Sequence, residues 1–215
     1  MRWATVMALL ALAGTALCAD EGKVRSFKFS KDDVGKVPAG WKAEKTGKGE
    51  GSVWKVVEDA SAPSKTGVVL AQTAESPGGV FNICVAEDSN YKDVELSVSF
   101  KAVAGKKDQG GGFVWRYQDH DNYYICRMNP LEDNYRVYKV VNGKRTQLGG
   151  KEDIKVPTGE WHKLKVEVKG SKMEGYLDGE KMWEITDDTY QNAGKVGLWS
   201  KADAQSHFDE FKAEG

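Results

Sequence analysis

The residues best suited to bind a ligand lie between Gly110 and Tyr138, where aromatic side chains alternate with arginines. A polar turn separates the run Phe113 to Tyr117 from the run Tyr123 to Met128. In the period-two pattern of a strand, neither face of these two runs is plainly polar. One face is expected to meet a core. The other is expected to present rings beside arginine, which suits packing against a sugar ring and bonding its hydroxyl groups. The alternative is that a loop or neighbouring strands cover this second face and the arginines pair with acids.

Six residues of this chain are candidates for ligand binding: Arg116, Tyr124, Arg127, Tyr117, Tyr138 and Trp199. Strand alternation prevents all of them from sharing one face, because Arg116 and Tyr117 are adjacent. We favour Arg116 together with Tyr124, since the turn from Tyr117 to Asn122 would place these two roughly opposite each other across a hairpin. Some of the six are therefore expected to lie in the core or at the rim.

No catalytic motif accompanies these residues. The sequence contains no G-x-S-x-G elbow, no H-E-x-x-H helix motif and no phosphate-binding loop. The three histidines are far apart and lack the spacing of a ligand pair for zinc. Isolated acids such as Asp119 and Asp121 suit the shaping of a turn better than general acid catalysis. The catalytic residues, if there are any, stay unknown at this level.

The elements that must position these residues are short strands, because period-two alternation dominates the chain. Val94, Leu96, Val98 and Phe100 alternate with polar residues, and the segment 162–169 repeats the pattern. The further strand-like runs are 26–30, 53–57, 67–73, 80–86, 111–117, 123–128, 135–141, 173–178, 181–186, 195–200 and 207–213. The dipeptides Asn142-Gly143 and Asp178-Gly179 predict hairpin turns, and 43–51 is expected to be a surface loop. About a dozen strands without a helical period predict an all-β, antiparallel jelly-roll sandwich of two sheets.

Composition sets limits on location and partners. The chain has 215 residues and a formal net charge of −1, so nothing suggests nucleic-acid binding by bulk charge. Residues 1–19 resemble a cleavable signal peptide, with one arginine followed by an uncharged run too short to span a membrane. We therefore expect a secreted or periplasmic protein without a transmembrane anchor after cleavage, made of a single domain at 20–215. Cys84 and Cys126 remain after cleavage, as a disulfide or as two buried thiols.

Several segments together resemble one superfamily. They are FSKDDVGKVPAGW, GGFVWRYQDHDNYYICRMNP, RVYKVVNGKRTQL, GEWHKLKVEVKGSKMEGYLDGEKMWEITD and GKVGLWSKADAQSHFDEFKAE. Their order, over nearly all of the chain from Phe27 to Glu214, is similar to the concanavalin A-like lectin/glucanase superfamily. Within it the chain most resembles the laminin-G-like and 3-keto-disaccharide hydrolase-type domains of bacterial secreted proteins. The resemblance implies a concanavalin A-like fold, but that superfamily includes lectins, adhesion modules and hydrolases alike.

The residues associated with hydrolysis in these relatives are not matched here. The E-x-D-x-x-E strand of family-16 glucanases is absent, and the comparable strand has Glu95 followed by Ser97 and Ser99. Hydrolase-type domains typically carry an Asn-Ser-Gly turn and a Glu-x-Gln strand. This chain has glycines at 110–112 and Tyr135-Arg136-Val137 at the corresponding places. These departures favour binding over catalysis.

Three interpretations therefore stay open. The first is a noncatalytic carbohydrate-binding or interaction module whose partner is a glycan or glycoconjugate. The second is a glycoside hydrolase of the 3-keto-disaccharide hydrolase type, and the third is a structural domain of the cell envelope. The resemblance also implies a structural calcium ion held by Asp209 on the last strand with backbone carbonyls; the alternative is a surface acid. No other cofactor is expected, and the oligomeric state is undetermined.

Overall fold

The strands form two antiparallel sheets that pack face to face. The computed structural model describes residues 19–215, and the predicted signal peptide lies, apart from residue 19, outside that range. Sheet A has eight strands. In spatial order, seven of them are β13 (Glu180–Thr186), β12 (Lys172–Leu177), β11 (His162–Lys169), β6 (Val94–Ala104), β15 (Gln205–Glu214), β4 (Val68–Gln72) and β3 (Trp54–Glu58). The eighth, β1 (Val24–Ser26), also pairs with β15.

Sheet B has seven strands. In spatial order they are β10 (Lys144–Lys151), β9 (Asn134–Val141), β8 (Asn122–Asn129), β7 (Gly111–Asp119), β14 (Lys195–Lys201), β5 (Phe81–Ala86) and β2 (Trp41–Thr46). The described residues contain no α-helix, only a short 3-10 turn at Lys31–Asp33. The prediction of an all-β, two-sheet antiparallel sandwich is confirmed. Within 19–215, no helix is long and apolar enough to cross a membrane.

The core between the sheets is built by the alternation seen in the sequence. Val98 on β6 pairs with Leu164 on β11, and both side chains are fully buried. Their neighbours two residues away repeat the arrangement, so apolar side chains point at sheet B while serines, lysines and glutamates point outward. From sheet B, β7 contributes Phe113 and Trp115 to the same core.

Sheet B is strongly curled, and its other face therefore encloses a second cluster of buried side chains. Thr46 at the end of edge strand β2 donates a hydrogen bond to the backbone carbonyl of His120, in the turn between β7 and β8. It also bonds the Tyr123 hydroxyl at 2.6 Å. Two strands, β5 and β14, lie between β2 and β7 in the sheet. Only a curled sheet brings edge strand β2 to the β7–β8 turn, so this face is concave and partly closed.

Both hairpin dipeptides adopt the conformation that the sequence predicts. Asn142 and Gly143 have φ of 49° and 75°, and Asp178 and Gly179 have φ of 49° and 87°. Positive φ at both central residues is the requirement of a type I′ turn. The first dipeptide joins β9 to β10, and the second joins β12 to β13.

The structure differs from the sequence prediction at one loop, at one strand end and at one strand that was not predicted. The expected loop at 43–51 begins only after Thr46, because 43–46 belong to edge strand β2. The expected strand at 26–30 ends at Ser26, since the Ser30 side chain caps the following 3-10 turn. Strand β10 was not among the expected runs, because this edge strand is polar on most positions and shows no apolar alternation.

The two cysteines of the described chain are free thiols. Cys84 on β5 and Cys126 on β8 both point into the core between the sheets and are fully buried. Burial raises the pKa of the Cys126 thiol to about 12 and also raises that of Cys84. Of the two alternatives left open by the sequence, the structure has the pair of buried thiols.

Candidate functional site

The concave side of sheet B brings together four of the six candidate residues: Tyr117, Arg127, Tyr138 and Trp199. Three further side chains complete what we call the arginine–aromatic face: Phe81, Tyr123 and Arg145. They come from six strands of the sheet. The rings are packed against one another, with Phe81 5.4 Å from Trp199 and Tyr117 5.7 Å from Tyr123 between centroids. This side of the sheet is turned away from the sandwich core.

Arg145 lies across the rings of this face. Its guanidinium carbon is 4.4 Å from the centroid of Tyr138, 4.9 Å from that of Phe81 and 5.8 Å from that of Trp199. Because Phe81 and Tyr138 belong to strands far apart in sheet B, the contacts depend on the curl. Cation–π attraction holds the side chain in this position.

No hydrogen bond or ion pair joins Arg145 to another described residue, and its Nη1 atom is fully buried without a partner. Burial lowers the pKa of Arg145, although the charges of Asp108 and Glu132 oppose that effect. Buried donors are satisfied in nearly all protein structures. An unsatisfied guanidinium is therefore the most unusual feature of the face.

Arg127, by contrast, is held by protein partners on most of its donors. It donates from Nη2 to the Glu132 carboxylate at 2.6 Å and to the Tyr138 hydroxyl at 3.2 Å, and from Nη1 to the Asn134 side chain. Its Nε atom is buried without a partner. Burial alone would raise the pKa of Glu132, but the charge and hydrogen bond of Arg127 outweigh it and lower that pKa.

A cavity of about 640 Å³ opens beside the face, where the β7–β8 and β9–β10 turns meet the end of β2. It is lined by Lys45, Thr46, Gly47, Lys48, His120, Asp121, Asn142, Gly143 and Lys144. Thr46 connects the cavity to the face, because it bonds Tyr123 and pairs in register with Phe81. Three lysines against one acid make this end of the face basic.

The favoured pair, Arg116 and Tyr124, does not lie on this face. The predicted register is wrong, because Trp115 and not Arg116 pairs with Tyr124, and the strand then bulges before Asp119. Arg116 has φ of 44° within this bulge. Tyr124 consequently points into the core between the sheets, where its ring stacks on Trp115 at 5.7 Å.

Arg116 is instead a buried link between loops. Its guanidinium donates to the backbone carbonyls of Lys92, Tyr190 and Gly170 at 2.6–2.8 Å. A longer contact of 3.3 Å reaches the Asp93 carboxylate. The side chain is 1% exposed and borders a separate cavity of about 340 Å³. These partners give Arg116 a structural role whatever the function of the chain.

Sequence reasoning missed Phe81, Tyr123 and Arg145. A signal for Arg145 was present in the Asn142-Gly143 turn, since a two-residue turn pairs Val140 with Arg145. Alternation then puts Arg145 on the same side as Tyr138. Phe81 had no such local signal, because β5 precedes these strands by more than 30 residues.

Of the two turn acids, Asp119 shapes the β7–β8 connection with its side chain. Asp119 accepts hydrogen bonds from the Asp121 backbone amide at 2.8 Å and from the Asn122 side chain at 2.9 Å. This is the turn-forming use of an aspartate side chain.

Asp209 on β15 is 3% exposed and accepts hydrogen bonds from the backbone amides of Ser64 and Glu210 at 2.9 and 2.8 Å. Within 19–215, no three side chains of His, Cys, Asp or Glu are grouped to hold a metal ion. Calcium needs six to eight oxygen ligands, and the side chains around Asp209 fall short of that number. The calcium role of Asp209 stays a prediction.

Comparisons with known proteins were consistent in fold. The family model described as "3-keto-alpha-glucoside-1,2-lyase-like domain" matches residues 30–213. No curated protein matches the chain. Among solved structures, carbohydrate binding module CBM66 from Bacillus subtilis is similar with a TM-score of 0.66 and 16% identity, over 82% of this chain and 96% of that one. A putative glycosyl hydrolase from Parabacteroides distasonis is similar with a TM-score of 0.52 and 18% identity, over 81% of this chain and 88% of that one. A Bacillus subtilis protein with a galectin-like fold is similar with a TM-score of 0.55 and 10% identity, over 81% of this chain and 88% of that one.

Proposed function

We propose that this chain, which belongs to the 3-keto-alpha-glucoside-1,2-lyase-like domain family, is a carbohydrate-binding module whose ligand contacts the arginine–aromatic face. One observation carries the proposal. Arg145 lies over Phe81, Tyr138 and Trp199 with no hydrogen-bonding partner in the described protein. Arg145 is half-buried, and its Nε and Nη2 donors, oriented by the aromatic rings, are suited to bind the oxygens of a saccharide.

The outer face of sheet A provides a comparison within the same molecule. Its charged side chains form pairs that satisfy one another, as between Lys165 and Glu95 at 3.5 Å and between Lys181 and Glu174 at 2.8 Å. It presents alternating charges at ordinary solvent exposure. Sheet B is the sheet whose outward side carries clustered rings, so we assign binding to it.

The similarity to CBM66 supports the sandwich fold that this proposal requires. At 16% identity it bears on fold alone, so the ligand of that module is not transferred to this chain. The chemistry of the face itself supports binding.

Glycan cleavage is the second candidate, and the family match favours it. The two acids whose charges act on Arg145 are already engaged. Glu132 is held by Arg127, and Asp108 accepts from the Gly110 amide at 2.7 Å and from Lys201 at 3.1 Å. A general acid for glycoside cleavage needs a raised pKa, whereas that of Glu132 is lowered. We therefore rank binding above cleavage.

We also propose that the protein is exported, to the periplasm or the medium. This rests on the signal-like residues 1–19 and is independent of the face. N-terminal sequencing of protein recovered from the periplasmic and culture fractions tests it, with a mature terminus after Ala19 as the expected result.

The binding proposal is tested by screening the mature chain on a glycan array and by pull-down with insoluble polysaccharides. Any glycan found is then titrated against Arg145→Gln and, as a matched control on the outer face of sheet A, Lys181→Gln. We expect weakened binding for the first variant and wild-type affinity for the second. Binding to no glycan would contradict the proposal. Release of sugar from 3-keto-disaccharides or gluco-disaccharides would favour the second candidate instead.

A further inference from the structure

The charges on the concave side of sheet B do not balance. Arg127, Arg136, Arg145 and Lys201 face Glu132, Glu152 and Asp108. Each acid is already in an ion pair: Glu132 with Arg127, Glu152 with Arg136 at 2.7 Å, and Asp108 with Lys201 at 3.1 Å. Of these three arginines, Arg145 is the one left without an anion. The whole chain has a formal net charge of −1, so this excess is local to the face.

Resting on the proposed function, we infer that the saccharide recognised by this face carries an anionic group, a carboxylate or a sulfate ester, which Arg145 binds. Arginine presents paired N–H donors in a rigid plane that matches two oxygens of such a group. The flanking rings of Phe81 and Tyr138 hold that plane in place, so little side-chain freedom is lost on binding. A neutral hydroxyl would satisfy one donor but would leave the buried positive charge uncompensated.

The neighbouring cavity also favours a ligand with anionic groups. Lys48 and Lys144 line it and form no ion pair with another described residue, while Asp121, the acid of the cavity, lies 3.6 Å from His120. Thr46 joins this cavity to the ring cluster, so a chain of sugars bound at Arg145 would extend over a basic surface. Regularly repeated anionic groups would be neutralised along that path.

The position of Arg127 adds a further donor. Its Nε atom is buried without a partner, and its guanidinium carbon is 5.7 Å from the Tyr138 ring on which Arg145 also lies. The two guanidinium groups thus approach the same ring. Burial is the main cause of the lowered pKa of Arg145, and repulsion from Arg127 adds to it. An anion bound there would relieve that repulsion.

The experiment compares polymers that differ in charge alone, by calorimetric titration of the mature chain. Polygalacturonate is compared with its fully methyl-esterified form, and dextran sulfate with dextran, so that carboxylate and sulfate are tested separately. The variants are Arg145→Gln, Arg145→Lys and, as a matched control on β1, Arg25→Gln. Thermal unfolding of each variant checks that it is folded.

We expect one or both charged polymers to bind and their neutral partners to bind far more weakly. Loss of a charge-assisted, paired hydrogen bond should weaken binding roughly 10- to 100-fold in Arg145→Gln. Arg145→Lys should recover part of this, since it keeps the charge but not the planar donor pair. Arg25→Gln should bind as the wild type does.

Equal binding of charged and neutral polymers would overturn the inference and leave the proposed function standing. So would a neutral glycan found on the array when neither charged polymer binds. Unchanged affinity of Arg145→Gln for a charged polymer would also overturn it, because the surface lysines alone would then explain the binding. Failure to bind any glycan would overturn both proposals.

Discussion

Arg116 and Arg145 both belong to sheet B and differ in what their guanidinium groups contact. Arg116 donates to three backbone carbonyls and approaches Asp93, so its donors are used inside the protein. Arg145 contacts rings and no acceptor among residues 19–215. Residue type alone does not separate these two roles. The partners supplied by other strands and loops decide which arginine is free to meet a ligand.

Replacing Arg116 with alanine is expected to destabilise the protein by about 2–4 kcal/mol, because buried carbonyls from three loops lose their donor. The free energy of unfolding in urea measures this, with Arg25→Ala as the control, because that half-buried arginine donates to a single carbonyl, that of Asp88. An effect no larger than that of the control would show that water replaces the guanidinium without cost.

Asp187 links stability to pH. Burial opposes its ionisation, but hydrogen bonds from Lys139, Thr189 and Tyr124 lower its pKa to about 2 from the ordinary 3.8. A carboxyl group with a lowered pKa stabilises the fold above its unfolded pKa, and this contribution is lost as pH falls through the folded value. Asp187→Asn should therefore cost about 2 kcal/mol at pH 7 and little at pH 2. Unfolding of both proteins from pH 7 to pH 2 provides the measurement; a constant difference would refute it.

The calcium prediction for Asp209 is also tested by stability. An ion that binds only the folded protein with micromolar Kd would add about 4 kcal/mol in millimolar calcium. Thermal unfolding midpoints with excess calcium and with a chelator are compared, for the wild type and for Asp209→Asn. Coincident wild-type midpoints would mean that the Ser64 and Glu210 amides are the partners that matter.

At the scale of elements, the β9–β10 hairpin positions Arg145. Its two-residue turn pairs Val140 with Arg145, which places the arginine on the concave side of sheet B. The β7–β8 hairpin has instead a bulge between Trp115 and Asp119, and this irregularity directs Arg116 away from that side. One regular turn thus places Arg145 on the arginine–aromatic face, and one bulge makes Arg116 a structural link between loops.

Replacing Gly143 with alanine tests the contribution of the regular turn. Gly143 has φ of +75°, and an added Cβ would lie 3.1 Å from the Asp121 carboxylate. Left-handed backbone should cost about 1–2 kcal/mol for a residue with a side chain. Thermal unfolding is compared with Gly78→Ala, where φ is not positive and nothing lies within 4 Å. Equal midpoints for the two variants would show that the turn is not strained by alanine.

At the scale of the whole molecule, two clusters of buried side chains share sheet B. The core between the sheets holds Cys84 and Cys126, and the concave side holds the arginine–aromatic face. A sheet packed on both sides is stiff, since displacement of one face disturbs the other. The side chains of the arginine–aromatic face are therefore held in place by packing on both sides of the sheet.

The buried thiols report on this packing. Both cysteines have raised pKa values because of burial, so the reactive thiolate is scarce in the folded protein. A thiol-specific reagent should label the mature chain only as fast as it unfolds, and two thiols should react in concentrated urea. Fast labelling of the native protein would contradict the packing described. No labelling in urea without a reductant would indicate a disulfide.

Sequence periodicity by itself determined the sandwich. Alternation along β6 and β11 and the two hairpin dipeptides are local patterns, and each predicts its own strand or turn without knowledge of neighbours. The polar edge strand β10 escaped prediction, because an edge is stabilised by pairing rather than by burial of an apolar face. The segment from Gly110 to Tyr138 contributes Tyr117, Tyr123, Arg127 and Tyr138 to the arginine–aromatic face.

Only the tertiary structure decided which of those residues share a face. The bulge in β7 shifts the register, and the curl of sheet B brings Phe81 under Arg145 from a strand more than 50 residues away. Neither effect has a local signature, since both arise from how distant strands pair and twist. Four of the six candidates lie on the concave side for this reason, while the favoured pair, Arg116 and Tyr124, has other partners.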